Sequence, residues 1–292
     1  MKIKECDERK VNMKTAIVTD STAYIPKEVR DDLHIHMIPL NVIINGESFQ
    51  EEVDITAEEY YAKMRTLDKL PTSSQPAIGK FVELFEHLAK DYDAIISIHL
   101  SKNISGTYQG AMTAGDMVDG VDVYAFNSGW SCMAQGFHAI DAAKMALDGK
   151  TPEEILARLE KLKASTKAYF MVDDLSHLQR GGRLSSSQAM IGSLLKIKPL
   201  LTFKDDVIVP FEKIRTQKKA LNRIYELLGE DVAKGLPLRA SIIHANREQQ
   251  AQDIKTELEA RYPNVDFSIS YFGPVIATHL GEGAIGIAWM LK

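Results

Sequence analysis

Cysteine is almost missing: Cys6 and Cys132 are the only two in 292 residues. Isolated thiols supply neither a disulfide framework nor a thiolate metal site, both of which need clustered spacing, and they fit a reducing cytoplasm. A surplus of positive charge is missing too. Lysine and arginine number 35 against 40 aspartates and glutamates, a formal charge of −5. That leaves no broad basic surface to exchange counterions with a phosphate backbone, so a nucleic acid partner is disfavoured. Long apolar runs are lacking as well. Lys196 and Lys198 break IGSLLKIKPLLTF, and His279 and Glu282 break GPVIATHLGEGAIGIAWML, whereas a bilayer span takes about 20 predominantly apolar residues. The opening MKIKECDERKVN is too charged for a signal-peptide core and reads as a solvated extension, residues 1–13. Neither a GxxxxGK[ST] phosphate loop nor a GxSxG nucleophile elbow occurs. The chain is therefore expected to lack a nucleotide site and cofactor of its own.

What is present suits a globular protein: 45% hydrophobic and 26% charged residues. At roughly 100 to 200 residues per domain, the length predicts two domains. Short β-branched runs alternate with amphipathic segments, the pattern of an α/β fold whose sheets are covered by helices. Strands are predicted over 15–19, 36–44, 93–100, 121–126, 167–172, 207–211, 239–244 and 265–272. Thr56 with Glu59 and Thr151 with Glu154 have capping-box spacing, and Pro152 suits a first helical position. The helix from 152 ends in KASTK, which predicts an N-terminal α/β domain over 14–164 and a C-terminal one over 165–292.

Three polar segments could carry chemistry. Asp20-Ser21-Thr22 ends the first strand, where ligands collect in open α/β sheets, although such residues more often make a turn or cap. Thr72-Ser73-Ser74 lies between Pro71 and Pro76, ahead of AIGKFVELFEHLAK. One hydroxyl there could cap the helix, but three exceed that need. The helix start also offers free N–H groups to an anion. SKNISGTYQ, 101–109, is a second hydroxyl-rich loop between a strand and a helix, in which Ser105 alone would read as a cap.

TSSQP at 72–76, SGTYQ at 105–109, LQRGGRLS at 178–185, KIKPLL at 196–201 and GPVIATHLGEGAIG at 273–286, with DST at 20–22 in front, closely resemble the bacterial DegV family. The resemblance covers nearly the whole chain from residue 14. It implies a two-domain DegV-like fold with a lipid tunnel between or beside the domains. It also implies a carrier that binds one long-chain fatty acid and presents the carboxylate to the catalytic subunit of a fatty acid kinase. Acyl phosphate formed there would feed phospholipid synthesis.

By the same resemblance Ser73, where the family usually has threonine, and Ser105 would bond the carboxylate. Arg215 and His279 would stand beside the carboxylate or the phosphoryl group, and Arg183 would meet the kinase. Two departures from the pattern are Asn127, where Asp-Ser is common, and Glu282, which replaces the proline of GPG. Without the resemblance, His279 reads as a core histidine, Gly181-Gly182 as a helix end answered by Arg180 and Arg183, and Arg215 as a solvated charge.

A fatty acid is physically reasonable only if its tail is enclosed. Burial of about 15 carbons gains roughly 12 kcal/mol against an association cost of about 4 to 15 kcal/mol. Met190, Leu194, Leu195, Ile276 and Ile287 are candidates for lining such a tunnel, and they serve equally as plain core. The head group needs donors, which hydroxyls backed by backbone N–H groups provide. A monomer with transient membrane contact fits this reading. The alternative is a serine hydrolase or acyltransferase using Ser105 or Ser73 with His279 as base, which needs a group to orient the histidine and an oxyanion hole. A small-anion or sugar-phosphate binder is a third reading.

Overall fold

The computed structural model describes residues 13–67, 69–184 and 198–292. The chain forms two compact units: one comprises residues up to 40, 75–131 and 135–164, the other 41–74, 132–134 and 165–292.

The first unit is built on a parallel sheet of β1 (Thr15–Asp20), β2 (Ile35–Ile38), β6 (Ala94–His99) and β7 (Asp122–Asn127), in the order β2-β1-β6-β7. Every residue of β1 and β6 is buried, as expected of central parallel strands covered on both faces. The helix Ile78–Leu88 supplies Phe81, Phe85 and Leu88, spaced to fall on one face, and the helix Thr107–Gly115 supplies Ala111 and Ala114. These residues pack on Ala16, Val18 and Ile95. Each fully buried phenylalanine is worth roughly 1.5–3 kcal/mol in transfer free energy.

In the second unit a six-stranded sheet runs in the order β10-β9-β8-β13-β11-β12. Its strands are β8 (Lys167–Met171), β9 (Lys198–Lys204), β10 (Val207–Ile214), β11 (Leu238–His244), β12 (Val265–Tyr271) and β13 (Ile285–Leu291). All neighbours are antiparallel except β11 and β12. The helices Gln217–Val232 and Glu248–Arg261 bury Ile224, Leu228, Ile254 and Leu258 against Leu200, Ile242, Ile287 and Trp289. A smaller antiparallel sheet, β4-β3-β5, is formed by β3 (Asn41–Ile44), β4 (Glu47–Gln50) and β5 (Thr72–Ser74). The short helix Pro274–Leu280 packs on β3, β5, the helix Ala57–Met64 and the helix Ser176–Arg180.

Both predicted capping boxes form. Thr56 and Glu59 exchange bonds with each other's backbone, and so do Thr151 and Glu154. Three expectations change. The predicted strand 36–44 is two strands in different sheets, because Pro39 has no N–H to continue a ladder and the N–H of Leu40 binds Ser21 Oγ at 3.0 Å instead. Segment 41–74 groups with residues 165–292 rather than with the first domain, so a single cut near 165 does not describe the chain. Thr72-Ser73-Ser74 is a strand rather than a helix cap: the next helix begins at Ile78, and its N-cap Ala77 has no side-chain bond to give. Strands β4, β9 and β13 were also unforeseen, β13 because its continuous burial erases the two-residue alternation.

Candidate functional site

β5 pairs Ser73 with Val42 of β3, and the helix Pro274–Leu280 packs against both strands. The result brings Ser73 Oγ to 2.8 Å from His279 Nε2, although the two residues are 206 positions apart. The helix is fixed at its start by the buried Glu51 carboxylate, which accepts from the N–H of Val275 at 2.8 Å. Tyr60 Oη lies 2.9 Å from Thr278 Oγ1, and Tyr61 donates to the Phe272 carbonyl at 2.6 Å. His279 therefore sits on a helix restrained from several sides.

Burial pushes the His279 imidazole down to about 4, and the nearby Arg183 and His177 push it in the same direction. The ring is neutral at pH 7. Its Nδ1 is buried and has no hydrogen-bond partner among the described residues. A buried N–H left unpaired is a rare and costly arrangement, so the favoured tautomer has the proton on Nε2 and a bare lone pair at Nδ1. Nε2–H then donates to Ser73 Oγ, leaving the serine hydroxyl proton free for another acceptor. Gly181 closes the other side of the ring, where a Cβ would collide with Nδ1.

The remaining predicted residues fall differently. Arg183, expected at the surface, is half-buried; its guanidinium donates to the Gly181 carbonyl, and burial lowers its pKa. Gly182, with φ +71°, completes the helix end foreseen for RGGR, where the N–H groups of Arg183 and Leu184 both reach the Leu178 carbonyl. Arg215 is exposed in the turn between β10 and the helix Gln217–Val232. Among the described residues, no hydrogen bond or ion pair joins Arg215 to Ser73 or His279. Ile276 is buried on the same short helix as His279. Ile287 packs in the core with Leu200, Ile224 and Leu228, so its surface is taken up by helix packing rather than by a ligand wall. Met190, Leu194 and Leu195 lie outside the described residues. Sequence reasoning missed His177, three residues ahead of RGGR, because a lone histidine on a short helix carries no pattern.

Ser105 belongs to the first unit. Its Oγ is 2.8 Å from Thr107 Oγ1 and accepts from the Thr107 N–H at 3.4 Å, a local turn at the helix start. Asn127 Oδ1 accepts from the N–H groups of Lys102 and Gly129, both at 3.1 Å, so the amide oxygen serves this turn as a carboxylate oxygen would. In the second unit Glu282 accepts from Arg65 Nη2 at 2.5 Å and from Asn246 Nδ2 at 2.7 Å, which ties down the loop after His279.

A second serine–histidine pair escaped sequence reasoning. Ser97 Oγ is 2.6 Å from His99 Nε2, and His99 Nδ1 is 2.9 Å from Asp20 Oδ2. The order resembles a catalytic triad, but all three residues are wholly buried, so no substrate reaches Ser97. Asp20 also accepts from the N–H groups of Thr22 and Leu100, both at 3.1 Å. It is the knot joining the ends of two strands, the structural role weighed for DST. The only sequence signal was a serine and histidine two apart on a strand that neighbours Asp20. Among the described residues, no group of histidine, cysteine or acidic side chains could hold a metal ion, and no helix is long and apolar enough to cross a membrane.

The two-unit α/β fold with a serine–histidine pair at a small sheet's edge defines a class. Residues 14–292 match the family model described as "Uncharacterised protein, DegV family". This chain belongs to the DegV family. Protein DegV of Bacillus subtilis is 59% identical over 281 residues, 96% of this chain and 100% of that protein. Its crystal structure, described as that of a fatty acid binding protein, covers the same shares with a TM-score of 0.92. A fatty-acid-binding DegV family protein from Thermus thermophilus is 30% identical, with a TM-score of 0.89 over 96% of this chain and 100% of that one. A fatty acid binding DegV family protein from Streptococcus agalactiae is 31% identical, with a TM-score of 0.89 over 96% and 99%.

Proposed function

We propose that this protein binds a long-chain fatty acid and holds its carboxylate at Ser73, with His279 behind the serine. The observation that carries the reading is the orientation of that pair. A neutral histidine donating to Ser73 Oγ turns the serine into a donor aimed at an incoming acceptor, and a carboxylate is a strong one. Arg183 adds positive charge nearby, acting on His279 through space. The fatty acid binding described for the relatives from B. subtilis and T. thermophilus supports the same ligand class. Ser105 is the second hydroxyl implied by family resemblance. Ile276, with Met190, Leu194 and Leu195, is proposed for the tail. Arg215 is kept as a candidate for the phosphorylated state.

The finer part of the proposal is that the carboxylate is presented to a partner fatty acid kinase, which supplies ATP and forms the acyl phosphate for phospholipid synthesis. A hydrolase reading fares worse. Ser73 and His279 have nucleophile–base geometry, but among the described residues no group orients Nδ1, and the imidazole is too weak a base at pH 7 to activate a hydroxyl.

Lipid extracted from the purified protein and read by mass spectrometry is expected to be a long-chain fatty acid. Ser73→Ala and Ser105→Ala should each weaken its binding by about 1.5–3 kcal/mol, the worth of a hydrogen bond to a charged group. Calorimetric titration measures this. Unchanged affinity in both variants would remove the proposed head-group site, and steady turnover of a chromogenic acyl ester that vanishes in Ser73→Ala would replace the carrier with an enzyme.

A further inference from the structure

Two short helices of the second unit, Ser176–Arg180 and Pro274–Leu280, pack on each other, and each carries a histidine that rests on the glycine ending the other. His279 fills the place of a side chain at Gly181. The His177 ring lies against Gly281, where a Cβ would stand 3.2 Å from its Cδ2 and Nε2. Gly281 has φ +76°, so glycine is needed there for the backbone as well as for the space. This turn affects the helix it ends. The N–H of Gly281 closes on the Ala277 carbonyl, and among the described residues no backbone N–H beyond it returns to the Thr278 carbonyl. A carbonyl left over at a helix end needs a donor from elsewhere. His177 supplies it, because the Thr278 carbonyl accepts a hydrogen bond from the ring. Nδ1 of His177 is buried and has no partner among the described residues, so the donor is Nε2–H. Burial holds this histidine below its usual range, and the ring is neutral at pH 7. The carbonyl it grips belongs to the peptide unit that leads into His279.

We infer that His177 is a positioning residue for fatty acid binding: its Nε2–H, on the Thr278 carbonyl, holds the His279 backbone so that the His279 ring stays on Ser73 Oγ. His177 itself does not touch the ligand. This role rests on the proposed hold of Ser73 on a carboxylate.

The test uses the full-length protein, with palmitate as the calorimetric probe and solvent exchange of the His279 Hε2 proton followed in lipid-free protein. Two replacements separate donor from bulk: His177→Gln keeps a donor near the Nε2 position, and His177→Phe keeps a ring without one. His177→Phe is expected to weaken palmitate binding about three- to tenfold, the effect of losing one hydrogen bond, and to speed Hε2 exchange by a similar factor. His177→Gln should stay close to the parent in both. In a Ser73→Ala background, His177→Phe should cost less than about twofold more, because the donor it aligns is already gone; general loosening would cost the same in both backgrounds. His177→Leu, smaller and also without a donor, serves in the same comparison should phenylalanine prevent folding. Parent-like exchange and affinity in His177→Phe, equal impairment by the glutamine and phenylalanine variants, or an undiminished loss in the Ser73→Ala background would each overturn the inference. Failure of the parent protein to bind palmitate would instead sink the fatty acid reading, since Hε2 exchange is measured without lipid.

Discussion

His279 loses its ability to carry charge because burial strips the imidazolium of hydration while Arg183 and His177 add repulsion. The ring titrates near 6.5 when unfolded and about 4 when folded, so between those values the unfolded chain holds the extra proton. Stability is complete above the unfolded value and falls as pH drops toward 4. His36, His177 and His244 are also lowered by burial and tilt the curve the same way. Urea unfolding is expected to give a lower free energy at pH 5 than at pH 7, with a smaller difference in His279→Gln. An identical pH dependence in the variant would contradict the burial argument. Ser73 and His279 were both legible as motif members. That they touch, and that Arg183 leans toward them instead of into solvent, was not, because nothing local to any of the three positions specifies the other two.

Gly181 shows how one element constrains another. Its φ is −70°, so the backbone does not require glycine; space does, because the His279 ring occupies the place of a side chain. Gly181→Ala must displace the His279 ring, by rotating it or by moving one of the two helices that carry these residues. The expected outcome is weaker fatty acid binding with loss of the Ser73–His279 bond, read by calorimetry together with the His279 ring resonances. A variant that binds as tightly as the parent protein would show that the ring position does not matter. The element-level signals that succeeded were those settled within a few residues: the two threonine caps, the helix with Phe81, Phe85 and Leu88 on one face, and the RGGR helix end. β5 failed because a three-residue strand has no period to detect; only its partner β3 makes Thr72–Ser74 a strand.

At the scale of the molecule, the second unit depends on a segment that precedes it by about a hundred residues. Residues 41–74 give the helix Pro274–Leu280 its Glu51 cap, the Tyr60 contact to Thr278 and the Tyr61 bond to the Phe272 carbonyl. A fragment of residues 165–292 would leave the N–H of Val275 unpaired and uncover that helix. It is expected to be cleaved rapidly between 272 and 284 under limited proteolysis while the full chain resists there. Equal resistance would mean that the helix is held by its own half of the sequence.

Hydrophobic period, cap spacing and turn residues dictated the α/β class, most strands and the helix ends, since these depend on backbone bonds closed over a few positions. The pairing of Ser73 with His279 and the transfer of residues 41–74 to the second unit came only with the tertiary structure. Each arises from burial and close packing between residues distant along the chain, where no single stretch contains the partners whose contact sets the free energy.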